Sequence, residues 1–244
     1  MNIKVIDASK KYNEKEALYI EELNFEEGYV YALMGLNGSG KTTLLQCVSG
    51  LDTFTKGTVL YENCRVTEFV KKDISVMLQK PYLFNTSVIE NIKMGLKFRK
   101  FTSEEIQNRI DSYVPYFKID ELLSKNTREL SGGEQAKVSL LRTAILETQV
   151  TFLDEPTASM DIESTLTAEK LIKTMAGGKR SVILITHDLL QAARVADFVI
   201  YLDSGRIIEQ GETNMVLNFP KHKLLRKILK RGDEYDKDCN INYE

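Results

Sequence analysis

The chain has 244 residues, with 33 lysines and arginines against 35 aspartates and glutamates, and a formal net charge of −2. Apolar residues make up 43% and charged residues 28%, which is ordinary globular composition and excludes disordered and collagen-like chains. The near-neutral charge argues against a protein that binds nucleic acid through a dense basic surface. Three cysteines and two histidines do not supply the ligand cluster of a zinc or iron–sulfur site.

Membrane-spanning and secretory segments are not expected. The longest apolar runs, such as Phe198–Leu202, are far shorter than the ~18–20 residues that a membrane-spanning helix needs. The first residues show no long apolar stretch behind their charges, so we expect no secretory signal peptide. We therefore expect a protein that stays in the cytoplasm.

Five apolar runs alternate with segments of helical periodicity. Near-continuous apolar residues are typical of central strands that helices cover on both faces. Strands alternating with helices predict an α/β fold with a mostly parallel sheet. In chain order the predicted elements are strand Tyr29–Met34, helix Thr42–Ser49, strand Ile74–Leu78, helices Glu104–Tyr116 and Glu134–Leu146, strand Val150–Leu153, helix Ile162–Met175, strand Val182–Ile185, helix Leu189–Val195 and strand Phe198–Leu202.

Three segments fall outside this alternation. Residues Pro81 to Arg128 have a helical pattern without a strand, which predicts a helical subdomain inserted between core segments 1–80 and 129–211. Asp203-Ser204-Gly205 predicts a hairpin turn. In the extension 212–244, Lys221 to Arg231 holds six lysines and arginines around apolar residues, which predicts an amphipathic helix docked on the core. The last residues predict a frayed acidic tail, with Asp233, Glu234, Asp236 and Asp238.

A glycine-rich segment follows the first predicted central strand and opens a helix. Residues Gly35-Leu36-Asn37-Gly38-Ser39-Gly40-Lys41-Thr42 match G-x-x-x-x-G-K-[ST]. Glycines allow the backbone N–H groups to point inward at phosphate oxygens, and the helix N-terminus adds partial positive charge. Lys41 can reach the β- and γ-phosphates, and the Thr42 hydroxyl can bind Mg²⁺. This segment predicts a nucleotide site.

Two adjacent carboxylates close a later buried strand, in Thr151-Phe152-Leu153-Asp154-Glu155. Asp154 suits a Walker-B role, in which the carboxylate holds Mg²⁺ through coordinated water. Glu155 lies one residue further, where it can act as a general base on an attacking water. A kinase would not need a base aimed at water, so the pair favours nucleotide hydrolysis.

A second glycine-containing segment, Leu130-Ser131-Gly132-Gly133-Glu134-Gln135, precedes another predicted helix. Ser131 suits a helix N-cap, and the glycines free backbone N–H groups for an anion. One nucleotide needs one such device, and this one lies about 90 residues from the first along the chain. We interpret it as a cap on the γ-phosphate of a nucleotide held by a second copy.

From Tyr12 to about Gly211 the chain resembles the ATP-binding-cassette (ABC) ATPases, whose signature is the motif LSGGE at 130–134. The resemblance implies a P-loop NTPase core, an N-terminal antiparallel β portion and an inserted helical subdomain. It also implies that Tyr12 stacks on adenine and that Gln79 contacts Mg²⁺ and the attacking water. His187 would contact the γ-phosphate, and Ser159-Met160-Asp161 would form the D-loop.

Three positions depart from the family pattern. Leu36 replaces a frequent proline, Lys137 replaces a frequent arginine, and Met160 replaces the usual leucine before Asp161. Neither Leu36 nor Lys137 removes a phosphate ligand, so we expect an active enzyme.

The resemblance further implies a head-to-tail dimer that traps two ATP molecules with Mg²⁺, either with itself or with a sister chain. The expected catalytic residues are Lys41, Gln79, Glu155 and His187. The expected nucleotide-binding residues are Tyr12, Gly35, Leu36, Asn37, Gly38, Ser39, Gly40, Lys41, Thr42 and Thr43; the Mg²⁺ site comprises Thr42, Gln79 and Asp154; and Ser131, Gly132, Gly133 and Asp161 act across the dimer.

The family's commonest use is transport, with permease subunits docked on the 81–128 region at the cytoplasmic face of the membrane. Residues 83–92 and Gly95-Leu96-Lys97 resemble bacterial importers, most of all those for tungstate, molybdate or phosphate, which also imply a solute-binding protein. Other solutes, including amino acids, stay open, as do an exporter and an iron–sulfur-assembly ATPase. Translation ATPases are disfavoured because they carry two cassettes or a long coiled coil.

Overall fold

The protein is described by a computed structural model at residues 1–62, 64–65, 68–80 and 82–229. Over these residues the chain forms two β-sheets surrounded by helices. The predicted α/β class is confirmed, with a mostly parallel core sheet, a separate antiparallel β portion that begins at the N-terminus, and helices between the core strands.

The antiparallel sheet comes from the first quarter of the chain. Its strands are β1 (Ile3–Tyr12), β2 (Lys15–Phe25), β4 (Lys56–Tyr61) and β5 (Cys64–Arg65), in the spatial order β2-β1-β4-β5. Apolar side chains such as Ile3, Val5 and Ile20 are buried on one face, as expected for a sheet packed on one side only. This sheet lies over the first part of the core.

The core sheet has the spatial order β10-β9-β3-β8-β7-β6, parallel except for β10. Its five predicted strands agree with the structure to within one residue at either end. The bounds are β3 (Val30–Met34), β6 (Ile74–Met77), β7 (Val150–Asp154), β8 (Ser181–Ile185), β9 (Phe198–Asp203) and β10 (Arg206–Glu212). The predicted hairpin turn joins β9 to β10, with positive φ angles of 47° and 78° at Ser204 and Gly205, as a two-residue turn requires.

The expectation that all five apolar runs are central strands is wrong for β6, which lies at an edge of the core sheet. The strand is nevertheless buried: Ile74 is 7% exposed and Met77 is 2% exposed. Arg99, which caps the C-terminus of the inserted helix Val88–Phe98, donates from Nη2 to the carbonyl of Ile74 at 3.3 Å. Cover from the inserted helices therefore gives this edge strand the apolar composition of a central one.

The helices are α1 (Lys41–Ser49), α2 (Glu68–Lys72), α3 (Val88–Phe98), α4 (Ser103–Tyr113), α5 (Gly132–Ala144), α6 (Ile162–Met175), α7 (Leu189–Val195), α8 (Thr213–Asn218) and α9 (Lys223–Ile228). Three predicted bounds, in α4 and α5, are wrong by more than one residue. Helix α4 ends at Tyr113 and continues as a 3-10 turn, Val114–Tyr116, because Pro115 cannot donate within an α-helix. Helix α5 begins at Gly132 rather than Glu134, because Ser131 is its N-cap, and it ends at Ala144 rather than Leu146, with Ile145 as its C-cap.

The inserted helices share the core rather than forming one of their own. Val88, Ile92 and Leu96 of α3 belong to the same buried apolar cluster as Leu140 of α5 and Leu153 of β7. The insert is therefore packed directly against the core sheet. Pro81, the predicted first residue of the insert, lies outside the described residues.

The C-terminal helices α8 and α9 pack near β9 and β3. Leu225 of α9 is fully buried in a cluster with Met34 and Tyr201. The helix predicted from Lys221 to Arg231 is described as α9 up to Ile228; Lys230, Arg231 and the predicted acidic tail with Asp233, Glu234, Asp236 and Asp238 lie outside the described residues. Over the part of the chain that is described, no helix has the length and apolar character to cross a membrane.

Candidate nucleotide site

The phosphate loop, residues 35–40, connects β3 to α1 in a conformation that needs glycine. Gly35 has a φ of 144°, and a β-carbon there would collide with the carbonyl oxygen of Leu202. Gly40 is the left-handed N-cap of α1, with a φ of 102° and no side-chain cap. Since L side chains rarely adopt such φ angles, these two glycines fix the path of the loop.

Lys41 is buried inside the phosphate loop. Its Nζ donates to the carbonyl oxygens of Gly35 and Leu36 at 2.8 and 2.9 Å, and lies 3.4 Å from Oγ of the buried Ser39. Burial lowers the pKa of Lys41, and the negative charges of Glu155 and Asp154 oppose this shift. The loop thus encloses a cation at the point where the motif predicts phosphate binding.

Thr42 and Asp154 meet beside this lysine. The Thr42 hydroxyl donates to Asp154 Oδ2 at 3.2 Å, and Asp154 is only 3% exposed. Burial raises the pKa of Asp154, while the Thr42 hydrogen bond and the positive charge of Lys41 act in the opposite direction. The site therefore holds a buried carboxylate with a hydroxyl at its edge.

Glu155 brings two other predicted residues together. The φ of Glu155 is 47°, which turns the chain out of β7. The Glu155 N–H donates to the carbonyl of Ile185 at 3.0 Å. Gln79 Nε2 donates to Glu155 Oε2 at 2.9 Å, and His187 Nδ1 lies 3.3 Å from Glu155 Oε1. The side chain of Glu155 is 16% exposed and that of His187 is 68% exposed. A left-handed φ at a non-glycine residue marks strain that often accompanies a functional site.

All of these side chains except those of His187 and the buried Ser39 border a cavity of about 660 Å³ beside the phosphate loop. From the predicted site residues, its lining contains Tyr12, Asn37, Gly38, Gly40, Lys41, Thr42, Thr43, Gln79, Asp154 and Glu155. A second cavity of about 620 Å³ is bordered by Gly35, Leu36, Asn37, Gln79, Glu155 and His187. Gln79 and Glu155 therefore stand between the two spaces, with the phosphate loop along one side of both.

Sequence reasoning missed several residues that line the first cavity. They are Lys15, Glu16, Ala17, Ile185 and Ser204. No motif marks them. Ile185 ends β8, and the other four reach the cavity because the β1–β2 hairpin and the β9–β10 turn lie against the phosphate loop. The Gly205 N–H donates to the carbonyl of Ser39 at 2.9 Å, and its own carbonyl accepts from the Tyr19 N–H at 2.8 Å.

The signature segment, residues 131–133, lies away from this cavity. Among the described residues, the lining of the 660 Å³ cavity includes none of Ser131, Gly132, Gly133 and Asp161. Ser131 instead caps α5 in a capping box with Glu134, whose Oε2 accepts from the Ser131 N–H and hydroxyl, both at 2.8 Å. One chain therefore does not bring its two glycine-rich segments to a common ligand.

The signature segment packs against the predicted D-loop. A β-carbon on Gly133 would lie 2.9 Å from the carbonyl oxygen of Ser159, so close approach of the D-loop accounts for that glycine. Asp161 caps α6, accepting from the Ser164 N–H at 2.7 Å, and its other oxygen lies 3.9 Å from Lys137 Nζ. The two segments are thus held as one surface.

A lysine enclosed by a glycine-rich loop, with two adjacent carboxylates at the end of the parallel strand β7, is the arrangement of a P-loop nucleoside triphosphatase. The model of the family described as "ABC transporter" matches residues 20–158, more than half of the chain. The chain belongs to the ABC transporter family and is one of its ATP-binding ATPases, which confirms the predicted family and enzyme class.

Known proteins of this family resemble the chain over most of its length. The tungstate uptake system ATP-binding protein TupC of Peptoclostridium acidaminophilum is 40% identical over 210 residues, which are 86% of this chain and 98% of TupC. CbiO1 of Clostridium perfringens, described as part of the ABC transporter complex cbiONQ, has a TM-score of 0.75 at 28% identity, covering 94% of each chain. The dimeric bacterial cassette MJ0796 has a TM-score of 0.78 at 25% identity, covering 86% of this chain and 98% of MJ0796.

Proposed function

We propose that this ATPase powers an ABC importer for a small solute, and that the solute is an oxyanion such as tungstate. The observation that carries the ATPase part is the contact of Gln79 and His187 with Glu155, next to the enclosed Lys41. The 40% identity with TupC over most of both chains supports import, and tungstate as the first solute to test. The importer-like segment that begins at Leu83 supports the same choice.

Phosphate binding falls to the loop and its lysine. Lys41 is buried, cationic and fixed by two loop carbonyls, so its charge is in place before a nucleotide arrives. A preorganised charge costs no reorganisation on binding, which makes it effective in a site of low dielectric. The loop glycines and Asn37, Ser39 and Thr43 complete the proposed cradle, and Tyr12 at the far side of the cavity supplies a ring for the base.

The residues present also fit Mg²⁺. Thr42 Oγ1 and Asp154 Oδ2 are 3.2 Å apart, and hard oxygen donors at a buried carboxylate suit this cation. The pKa of Asp154 is raised by burial, so a bound cation would offset a charge that the fold leaves poorly compensated. When bound between these groups and Gln79, Mg²⁺ would neutralise charge on the β- and γ-phosphates.

Glu155 is the proposed general base for hydrolysis. Its carboxylate accepts a hydrogen bond from Gln79, which fixes the direction of its lone pairs, and only a small part of it faces solvent. An acceptor held in this way can take a proton from water aligned with the terminal phosphate. His187 is well exposed and can turn from Glu155 towards the γ-phosphate.

The signature segment is proposed to act in a partner's site. It carries helix N–H groups that have no acceptor within α5, and it lies outside the cavity of its own chain. A two-fold head-to-tail dimer would bring Ser131, Gly132 and Gly133 of one copy to the γ-phosphate held by the other, with Asp161 beside them. Hydrolysis would then remove the group that joins the copies, and the dimer would open.

The permease is proposed to dock on the 81–128 region, at the cytoplasmic face of the membrane, in a system with an extracytoplasmic solute-binding protein. Tyr82 and Phe98 are 73% and 79% exposed there, and Phe84 is 43% exposed. Exposed aromatic side chains are enriched at protein interfaces. In this division of the chain, 1–80 with 129–211 is the ATPase core, 81–128 is the insert, and 212–244 is an extension.

The transport part is tested by purifying the tagged protein from native membranes in mild detergent and identifying what co-purifies. A polytopic permease is the expected result, and its loss is expected in Tyr82→Glu but not in Phe219→Glu, a control at an exposed aromatic residue of the C-terminal region. A protein absent from the membrane fraction, with soluble partners only, would contradict transport and favour an assembly factor.

A further inference from the structure

Tyr12, the ring proposed to stack on the base, is held through its hydroxyl. The side chain ends β1 and lines the 660 Å³ cavity while 47% exposed. Its hydroxyl donates to Asp52 Oδ2 at 3.3 Å. An exposed ring without such a partner would sample several rotamers, and holding it in one costs entropy on binding. The hydrogen bond restricts that freedom before any ligand binds.

Lys10 completes this anchor on the same carboxylate. Its Nζ donates to Asp52 Oδ1 at 2.7 Å and to the carbonyl of Thr53 at 2.8 Å. The ammonium also lies over the Tyr12 ring, 5.1 Å from the ring centroid, within the range of a cation–π contact. One side of the ring is thus occupied by a cation that is itself fixed, and the ring still borders the cavity.

Asp52 is tied to the helix that opens with Lys41. Helix α1 ends at the left-handed Gly50, and the Asp52 N–H donates to the carbonyl of Gln46 at 3.0 Å. At 1.5 Å per residue, the nine residues of α1 span about 13–14 Å. One rigid helix therefore carries the phosphate-binding lysine at its first residue and the anchor of the aromatic ring just beyond its last.

The charges of this anchor are mutually supported. The hydrogen bond from Lys10 lowers the pKa of Asp52, and the same bond raises the pKa of Lys10. Both groups therefore stay ionised through the neutral range. The side chain of Lys10 is 11% exposed and that of Asp52 is 32% exposed, so the pair is partly shielded from solvent.

We propose that Lys10 and Asp52 are positioning residues for the nucleotide base: they set the Tyr12 ring at a fixed place relative to the phosphate loop. The proposal rests on the proposed stacking role of Tyr12. It predicts that the pair contributes to affinity for a nucleotide but not to affinity for a bare phosphate chain, because only the nucleotide carries a base to stack.

The test compares ADP with inorganic tripolyphosphate by titration calorimetry, in the presence of Mg²⁺. Tyr12→Ala is expected to weaken ADP binding about tenfold, the scale of one base–aromatic stack. Lys10→Met and Asp52→Asn are each expected to weaken it about three- to fivefold. All three variants should bind tripolyphosphate as the unchanged chain does. Lys10→Arg, which keeps a cation, should restore most of the ADP affinity.

Two controls separate positioning from a general effect on the fold. Lys4→Met removes another β1 lysine and its 3.0 Å ion pair with Glu22, away from the ring, and should leave ADP binding unchanged. In a Tyr12→Ala background, Lys10→Met should have no further effect on ADP binding, since no ring remains to be positioned.

Other outcomes would contradict either the positioning proposal or the stacking role on which it rests. If Lys10→Met weakens the binding of ADP and of tripolyphosphate equally, the pair supports the fold and the positioning proposal is wrong. The same holds if Lys10→Met weakens ADP binding as much in the Tyr12→Ala background as in the unchanged chain. If Tyr12→Ala weakens ADP binding while Lys10→Met and Asp52→Asn do not, stacking stands and positioning is wrong. If Tyr12→Ala has no effect on ADP binding, the stacking role itself is wrong, while the phosphate site and the transport proposal are untouched.

Discussion

The phosphate loop and the signature segment both contain glycines and both lie at the start of a helix, α1 and α5. They differ in the residue that caps the helix and in the charge that the segment encloses. The first has a left-handed glycine as its N-cap and encloses the cation of Lys41. The second has a serine N-cap whose N–H and hydroxyl are both engaged by Glu134. The phosphate loop therefore contains an enclosed cation, whereas residues 131–133 offer helix N–H groups and, among the described residues, enclose no lysine or arginine.

This difference indicates a division of work between the two segments. The phosphate loop shares its cavity with both carboxylates at the end of β7, so we expect one chain to supply both nucleotide binding and the catalytic carboxylate. The signature segment is fastened to the D-loop, through Gly133 against Ser159 and Lys137 near Asp161. This packing is consistent with the proposed role of the segment in a partner's site.

Glu155→Gln should slow ATP hydrolysis about 10²–10⁴-fold, the share of a positioned general base. The amide keeps the size of the side chain and can still accept from Gln79, so nucleotide binding should be retained. Steady-state phosphate release and ADP affinity are the two measurements. Glu163→Gln, at an exposed glutamate of α6, is the control. If Glu155→Gln hydrolyses ATP nearly as fast as the unchanged chain, Glu155 is not the general base.

Lys41→Ala should weaken ADP binding about 100-fold, because it removes charged hydrogen bonds to phosphate. The loop carbonyls of Gly35 and Leu36 would also lose their donor. The measurement is ADP affinity by calorimetry, with Lys4→Ala on β1 as a surface control. An unchanged affinity in Lys41→Ala would mean that the loop does not hold the phosphates.

Ser131→Ala should lower the stability of the chain by about 1 kcal/mol through loss of the N-cap, and should reduce ATP turnover further than this stability loss explains. Thr102→Ala is a matched control, because Thr102 and Glu105 form the same capping box on α4. Denaturant unfolding should give similar losses for both variants, with turnover reduced in Ser131→Ala alone. A weaker affinity for ADP in dilute Ser131→Ala would place the signature segment in its own chain's site.

Asp154→Asn should raise the thermal midpoint of the nucleotide-free chain at pH 7, by about 2–4 °C for each kcal/mol recovered. Burial holds the pKa of Asp154 above its unfolded value, so the folded state binds the proton more tightly. The ionised Asp154 therefore lowers the free energy of unfolding. This loss is absent below the pKa of Asp154 in the unfolded chain and complete above its pKa in the folded chain. The midpoint difference between variant and unchanged chain should shrink as the pH falls towards 4, and a lower midpoint for the variant at pH 7 would contradict this.

The phosphate loop and the strand ends of the site could be predicted from the sequence alone. The phosphate loop is contiguous, and its strand, glycines, lysine and helix are all local, so its place in the fold follows from the motif. The strand ends that carry Gln79, Glu155 and His187 follow from parallel pairing, which brings carboxyl ends to one edge of the sheet. Those parts of the site were predictable.

Contacts between distant segments were not. Lys10 and Asp52 meet across 42 positions, and Ser204 reaches the cavity only through the β9–β10 turn. The edge position of β6 was missed because the insert buries it as thoroughly as a neighbouring strand would. The predicted start of α5, Glu134, is two residues too late, because glycines are more typical of loops than of helices. Ser131 and Glu134 nevertheless have the spacing of a capping box, which marks the start of a helix.

The most direct test of the division between the segments is sedimentation velocity of Glu155→Gln, alone and combined with Ser131→Arg, in ATP and in ADP. Glu155→Gln is expected to sediment as a dimer in ATP and as a monomer in ADP. The double variant should stay a monomer in both while binding ATP normally. A Glu155→Gln chain that stays monomeric when saturated with ATP, or a double variant that dimerises equally well, would contradict the claim that the signature segment completes a partner's site.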